Sequence, residues 1–143
     1  MIYRGACHCG AVSAVYETNA PVRLRHDGCS FCASRGVKSA SDKDGALTIT
    51  SIHKLTRYRF GHKTADFLLC PVCGAYVATS MQGPNGAVGV INVVGLQIPE
   101  LKDEPAPLVT LEGETSAERI ARRLSRWTPL KLAEATISEG AGT

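Results

Sequence analysis

No stretch of this chain approaches the ~18 continuous apolar residues that a membrane-spanning helix needs. The opening Met1-Ile2-Tyr3-Arg4-Gly5 holds no apolar run of signal-peptide length. Both absences point to a cytoplasmic protein with no membrane partner. Repeats and low-complexity segments are missing too, and no domain boundary shows, so a single domain over residues 1–143 is expected. A domain of that length buries roughly 70% of its unfolded surface, and a hydrophobic content of 44% supplies a core. Excess charge is also lacking: charged residues are 20% and the net charge is +3, which argues against disorder. Arg119, Arg122, Arg123 and Arg126 fall together but without interleaved aromatics. They read as the solvated face of a helix, and nucleic acid is not expected as a partner.

What the chain does have is six cysteines in three close pairs: Cys7-His8-Cys9, Cys29-Ser30-Phe31-Cys32 and Cys70-Pro71-Val72-Cys73. A reducing compartment disfavours structural disulfides, so clustered thiols there point to metal. A disulfide from Cys7 to Cys9 would also be strained. Gly10 and Gly74 follow two of the pairs, where glycine lets the chain turn so that backbone N–H groups face the thiolates. These two pairs read as metal knuckles that together supply four sulfurs, a closed structural zinc site.

Cys29 and Cys32 remain, and two thiolates need a third ligand. Asp27 stands two residues before Cys29, with His26 next to it. An Asp27–Cys29–Cys32 set with one open position matches a catalytic zinc site. The alternative is that Cys29 and Cys32 are plain thiols, because a hard carboxylate suits a soft-metal site poorly. His8 and His62 read as surface or hydrogen-bonding residues rather than ligands.

Short alternating segments dominate the first two-thirds. Val12–Glu17, Val22–Arg25, Leu47–Thr50, Leu55–Phe60, Asp66–Leu69, Ala75–Ser80 and Ala87–Val94 all read as strands. Asp42-Lys43-Asp44-Gly45 and Gly83-Pro84-Asn85-Gly86 read as turns. Thr115-Ser116-Ala117-Glu118 is a capping-box sequence, and Ala117, Ile120, Ala121 and Leu124 repeat at helical spacing. One helix over about 116–126 is expected, its apolar stripe packed on the sheet and Pro129 interrupting beyond it. Residues 138–143 read as a frayed tail. The fold class is therefore mainly β with one C-terminal helix.

The segment Gly5-Ala6-Cys7-His8-Cys9-Gly10-Ala11-Val12 resembles the opening motif of the glutathione-dependent formaldehyde-activating enzyme family, which includes centromere protein V. The run from Tyr58-Arg59-Phe60 through Lys63-Thr64-Ala65 and Phe67 to Cys70-Pro71-Val72-Cys73-Gly74 is similar to the family's second half. Asn92 and Val93 fall where the family carries a late Val-Asn-Val-like strand. The resemblance covers about residues 5–95. It implies an Mss4-like β fold and a structural zinc on Cys7, Cys9, Cys70 and Cys73. It also implies a second zinc on a Cys-x-Cys-x-x-Cys triplet, where glutathione and formaldehyde meet. In this chain Asp27 stands at the triplet's first position, ahead of Cys29 and Cys32.

Two functions follow. The first is a zinc-dependent carbon–sulfur lyase acting on small thiol adducts of aldehydes, with Asp27, Cys29 and Cys32 as its catalytic set and glutathione as a cosubstrate. Arg23, Arg25 and Arg57 are candidates to hold substrate carboxylates, and His26 and His62 are candidates for proton transfer. The second is a non-catalytic zinc module that binds a protein partner through its β scaffold. A methionine-sulfoxide reductase would need a nucleophilic cysteine outside the metal pairs, and all six cysteines lie in pairs.

Overall fold

The computed structural model describes residues 1–109 and 113–135, apart from the side chain of Asp27. The tail at 138–143 lies outside the described residues. Alternation in the sequence becomes alternation in burial. In β2 (Val12–Glu17), Val12, Ala14 and Tyr16 point into the core while Ser13 and Glu17 face out. In β5 (Ala46–Ser51), Leu47 and Ile49 are buried.

Two halves of a sheet meet at one strand. β1 (Ile2–Ala6) pairs antiparallel with β2, and β2 with β5. The other half centres on β9 (Gly86–Asn92), flanked by β8 (Tyr76–Gly83), then β7 (Asp66–Leu69) and β6 (Thr56–Tyr58). The far edge of β9 pairs with β4 (Lys38–Ala40), followed by β3 (Arg25–Asp27) and β10 (Leu108–Val109). β11 (Thr128–Ala133) joins the halves, parallel to β5 through Leu130↔Leu47 and antiparallel to β9 through Thr128↔Gly89. Among the described residues no other strand pairing links them.

The shared core holds Val12, Tyr16, Ile49, Leu68, Val77 and Ile91, each essentially inaccessible. Full burial of such a side chain contributes about 1.5–3 kcal/mol. Asn92 is the polar pin of this core. Its side chain donates to Tyr76 O at 2.9 Å and accepts from the backbone N–H groups of Lys38 and Val94 at 3.3 and 3.2 Å. It thereby ties β8 and the start of β4 to the turn that follows β9.

The mainly β reading holds, and the spans Val12–Glu17 and Asp66–Leu69 match their strands. Several expectations do not hold. Val22 to Leu24 lie before β3 rather than in a strand, although Leu24 is buried. A second helix, α1 (Ser30–Ala33), begins just after Cys29. Pro129 ends no structure, but sits inside β11 opposite Val88. The largest departure concerns α2 (Ser116–Arg126). Its span and its Thr115–Glu118 capping box agree with the sequence, but its orientation does not. Ile120 and Leu124 are 36% and 39% exposed, whereas Arg123 is 7% exposed. Arg119, Arg122 and Arg123, not the apolar stripe, face inward, while Arg126 stays exposed. No helix among the described residues is long and apolar enough to cross a membrane.

Candidate metal centre and cavity

Two matching turns build the four-cysteine cluster. Cys7 closes the end of β1, where its N–H donates to Val12 O at 2.9 Å and Gly10 N–H returns to Cys7 O at 3.0 Å. Cys70 repeats the pattern after β7, its N–H donating to Ala75 O at 2.9 Å while Gly74 N–H reaches Cys70 O at 3.0 Å. Gly10 and Gly74 sit at φ +82° and +77°, a left-handed conformation that glycine adopts without strain. Each turn aims backbone N–H groups at sulfur; Val12 N, for one, lies 3.3 Å from Cys7 Sγ. Gly5 brings the first turn close to its support. A Cβ there would lie 2.2 Å from Leu96 O, the acceptor of the Ala6 N–H bond at 2.7 Å.

The two turns converge from opposite halves of the sheet. The four Sγ atoms of Cys7, Cys9, Cys70 and Cys73 all lie within 4.8 Å of one another. Cys9 Sγ is 3.7 Å from Cys7 Sγ and 3.6 Å from Cys70 Sγ. A tetrahedral ion with ~2.3 Å metal–sulfur bonds requires sulfur–sulfur edges of about 3.8 Å. The cluster therefore fits a metal ion, and the chemistry of four thiolates favours zinc. Burial pushes the Cys70 thiol up to about 12. Burial also works against the Cys73 thiolate, but N–H groups of Ala75 and Cys9 and the sulfurs of Cys70 and Cys7 outweigh it and bring Cys73 down to about 6.

Cys29 and Cys32 are elsewhere, on α1. Cys29 caps the helix, its Sγ accepting the Cys32 N–H at 3.3 Å. Phe31 anchors that turn. Its ring stands 4.7 Å from Phe67 and 5.0 Å from Tyr76, both edge-on, and 5.7 Å from Phe60. The Arg35 guanidinium lies over the Phe31 ring at 3.9 Å. All three phenylalanines thus meet beneath the Cys29–Cys32 turn, and such ring pairs contribute about 0.5–1.5 kcal/mol each beyond their burial. The turn leaves Cys29 exposed and Cys32 buried. Both line a cavity of about 250 Å³, walled by Tyr76, Thr79 and Trp127 and by Arg119, Arg122 and Arg123 of α2.

The remaining sequence candidates separate. The Asp27 backbone ends β3, directly before the cavity-lining Gly28; its side chain lies outside the described residues. Arg25 lines the cavity and donates to Ser41 Oγ at 3.3 Å. Arg23 is exposed and is not part of the lining. Arg57 pairs with Glu134 and, at 3.8 Å, with Asp66. His26 Nδ1 bonds the Val37 carbonyl at 3.0 Å, and His62 Nδ1 bonds Ser116 Oγ at 2.9 Å; neither lines the cavity. His8 is exposed, in keeping with its surface assignment. The arginines of α2 and the aromatic floor were not read from the sequence as site residues. The three arginines' i, i+3, i+4 spacing was visible, but nothing local says which way such a face turns.

The crystal structure of a Rhodobacter sphaeroides protein is similar to this chain at 31% identity and a TM-score of 0.57, covering 74% of this chain and 99% of that one. No curated protein matches the chain. The family model of the glutathione-dependent formaldehyde-activating enzyme matches residues 2–109, a stretch that includes all six cysteines. With its paired knuckles, its Cys29–Cys32 turn and its Mss4-like β fold, the chain belongs to the glutathione-dependent formaldehyde-activating enzyme family.

Proposed function

We propose that the protein is a zinc-dependent carbon–sulfur lyase that makes or breaks small thiol adducts of aldehydes. The observation that carries this reading is the position of Cys29 and Cys32, in the wall of a cavity and apart from the four-cysteine cluster. Cys7, Cys9, Cys70 and Cys73 would hold a structural zinc. Asp27, Cys29 and Cys32 would hold a second zinc, with one position open to substrate sulfur. Zinc there supplies a Lewis-acid charge that lowers the pKa of a bound thiol, so that thiolate exists at neutral pH. The resemblance of the opening motif makes glutathione the leading thiol, and the chain's lack of apolar runs fits a cytoplasmic setting.

The residues divide the work. Cys29, at the exposed end of the turn, meets the incoming molecule. Cys32 is fixed by the aromatic floor, and the apolar walls of Phe67, Tyr76 and Trp127 limit water around the reacting carbon. In the breaking direction, the carbon–sulfur bond of a hemithioacetal gives its electron pair to sulfur. The hydroxyl proton leaves to solvent at the open mouth, and free aldehyde is released. The reverse step adds thiolate to the carbonyl carbon, and solvent returns the proton.

The test compares wild type, Asp27→Ala and Asp27→Cys for zinc content and aldehyde–thiol turnover. Wild type is expected to hold two zinc ions, with mild chelation removing one and leaving the fold intact. Asp27→Ala should keep one zinc and its fold while losing turnover; Asp27→Cys should hold the second zinc more tightly. Identical occupancy and turnover in all three would refute Asp27 as a ligand. One zinc and no turnover in wild type would instead point to a non-catalytic zinc module.

A further inference from the structure

The inward face of α2 concentrates positive charge beside Cys29 and Cys32. Arg119, Arg122 and Arg123 line that cavity together. Among the described residues one carboxylate pairs with them: Glu114 meets Arg122 Nε at 2.8 Å and Arg119 Nε at 3.4 Å. Arg123 has no such partner there. Its Nη1 donates to the Thr64 hydroxyl at 2.7 Å, its buried Nε makes no hydrogen bond, and its guanidinium lies 4.8 Å from the Trp127 ring. Thr64 and Trp127 fix the guanidinium, but neither neutralises it.

Arg123 is 7% exposed, and among the described residues no carboxylate pairs with it directly, since Glu114 is held by Arg119 and Arg122; its guanidinium has lost water for a hydroxyl and a ring. Burial and the charges of Arg119 and Arg122 bring Arg123 down to about 10. An anion entering the cavity would relieve both effects. α2 also lies beyond residues 2–109, so this charge is added to the stretch that the family model matches.

We propose that the arginine face of α2 is an anion subsite, and that the molecule taken into the cavity is a small acid whose carboxylate or phosphate lies on Arg123 while its sulfur lies at Cys29 and Cys32. The sulfur half rests on the thiol-adduct reading above; the anion half does not. About 250 Å³ is below the usual ~300 Å³ floor for drug-sized ligands, so the acid is small or only partly enclosed.

Trp127 is the single tryptophan of the chain and lines this cavity, so its fluorescence reports occupancy. The zinc-loaded full-length protein is titrated with 3-mercaptopropionate and with its neutral amide. The acid is expected to bind about tenfold tighter or more, the usual scale for a hydrogen bond to a charged group. Arg123→Gln should erase that preference. Arg126→Gln, on the exposed side of the same helix, should keep the preference. Propionate and inorganic phosphate, titrated against Cys29→Ala, then show which anion the subsite prefers without help from sulfur. If 3-mercaptopropionate binds no tighter than propionate in wild type, the sulfur half fails and the anion subsite stands. Equal binding of acid and amide to wild type overturns the subsite, and this comparison needs no variant to fold. A full preference retained in a folded Arg123→Gln protein overturns it as well.

Discussion

The two cysteine regions are built on opposite plans. At the four-cysteine cluster the backbone does the positioning: two turns, each with a positive-φ glycine, direct N–H groups at sulfur, and the ligands come from distant parts of the chain. At Cys29 and Cys32 side chains do it: a phenylalanine seats the turn on an aromatic floor, and arginines from the far end of the chain wall the cavity. The first arrangement leaves four sulfurs turned toward one another. The second leaves one thiol exposed to an incoming molecule. A backbone cage specifies geometry for an ion, whereas a cavity of side chains can change its ligand by changing a few residues.

The largest expected effect breaks the first region. Cys73→Ser should release the cluster's zinc and prevent folding, because structural zinc contributes about 10–16 kcal/mol of apparent folding free energy, comparable to or above the whole net stability of an ordinary domain. Metal analysis with circular dichroism checks it; a folded, fully loaded variant would refute the assignment. Next come Gly10→Ala and Gly74→Ala. No atom lies within 4 Å of either added Cβ, so the cost is backbone conformation alone. Each is expected to lose about 1–2 kcal/mol in urea unfolding with zinc retained. No loss would mean that the turns are not held left-handed.

The smallest effect sharpens the second region. The hydrogen bond from Arg122 holds the Glu114 carboxyl below its ordinary 4.5. A depressed carboxylate contributes stability that is present above its unfolded value and lost as pH falls through its folded one. Glu114→Gln should therefore cost roughly 0.5–1 kcal/mol at neutral pH, the scale of a partly exposed ion pair. The gap from wild type should narrow as pH drops below 4.5. A gap that stays constant down to pH 3 would show that the carboxylate charge is not what steadies α2.

The contrast between the regions also explains what was legible. The knuckles could be read because ligand spacing and the following glycines are local signals, as was the capping box that starts α2. β11 was hidden because Pro129 reads as an interruption, yet Pro129 sits where the strand passes from β9 to β5 as its partner. α1 is one turn long, too short for a helical period to show. The facing of α2 was misread because Ile120 and Leu124 are the natural inward residues by hydropathy alone. Arg123 is received by Trp127 four residues on and by the distant Thr64, while Glu114, just before the helix, holds Arg119 and Arg122 beside it. No local pattern records Thr64 as a partner.

The strand that joins the halves of the sheet has a consequence for biosynthesis. β11 is among the last described segments to leave the ribosome, and until it does no strand pairing connects β5 to β9. The four thiolates are all synthesised by residue 73. At about 5–20 residues per second, roughly 3–12 s separate the last knuckle from the end of β11. In that interval a metal ion on the cluster would add a clamp to the Ala6–Leu96 hydrogen bond and the shared core in holding the nascent halves together. A shortage of that ion would lengthen the time the chain waits with exposed strand edges, a hazard for aggregation.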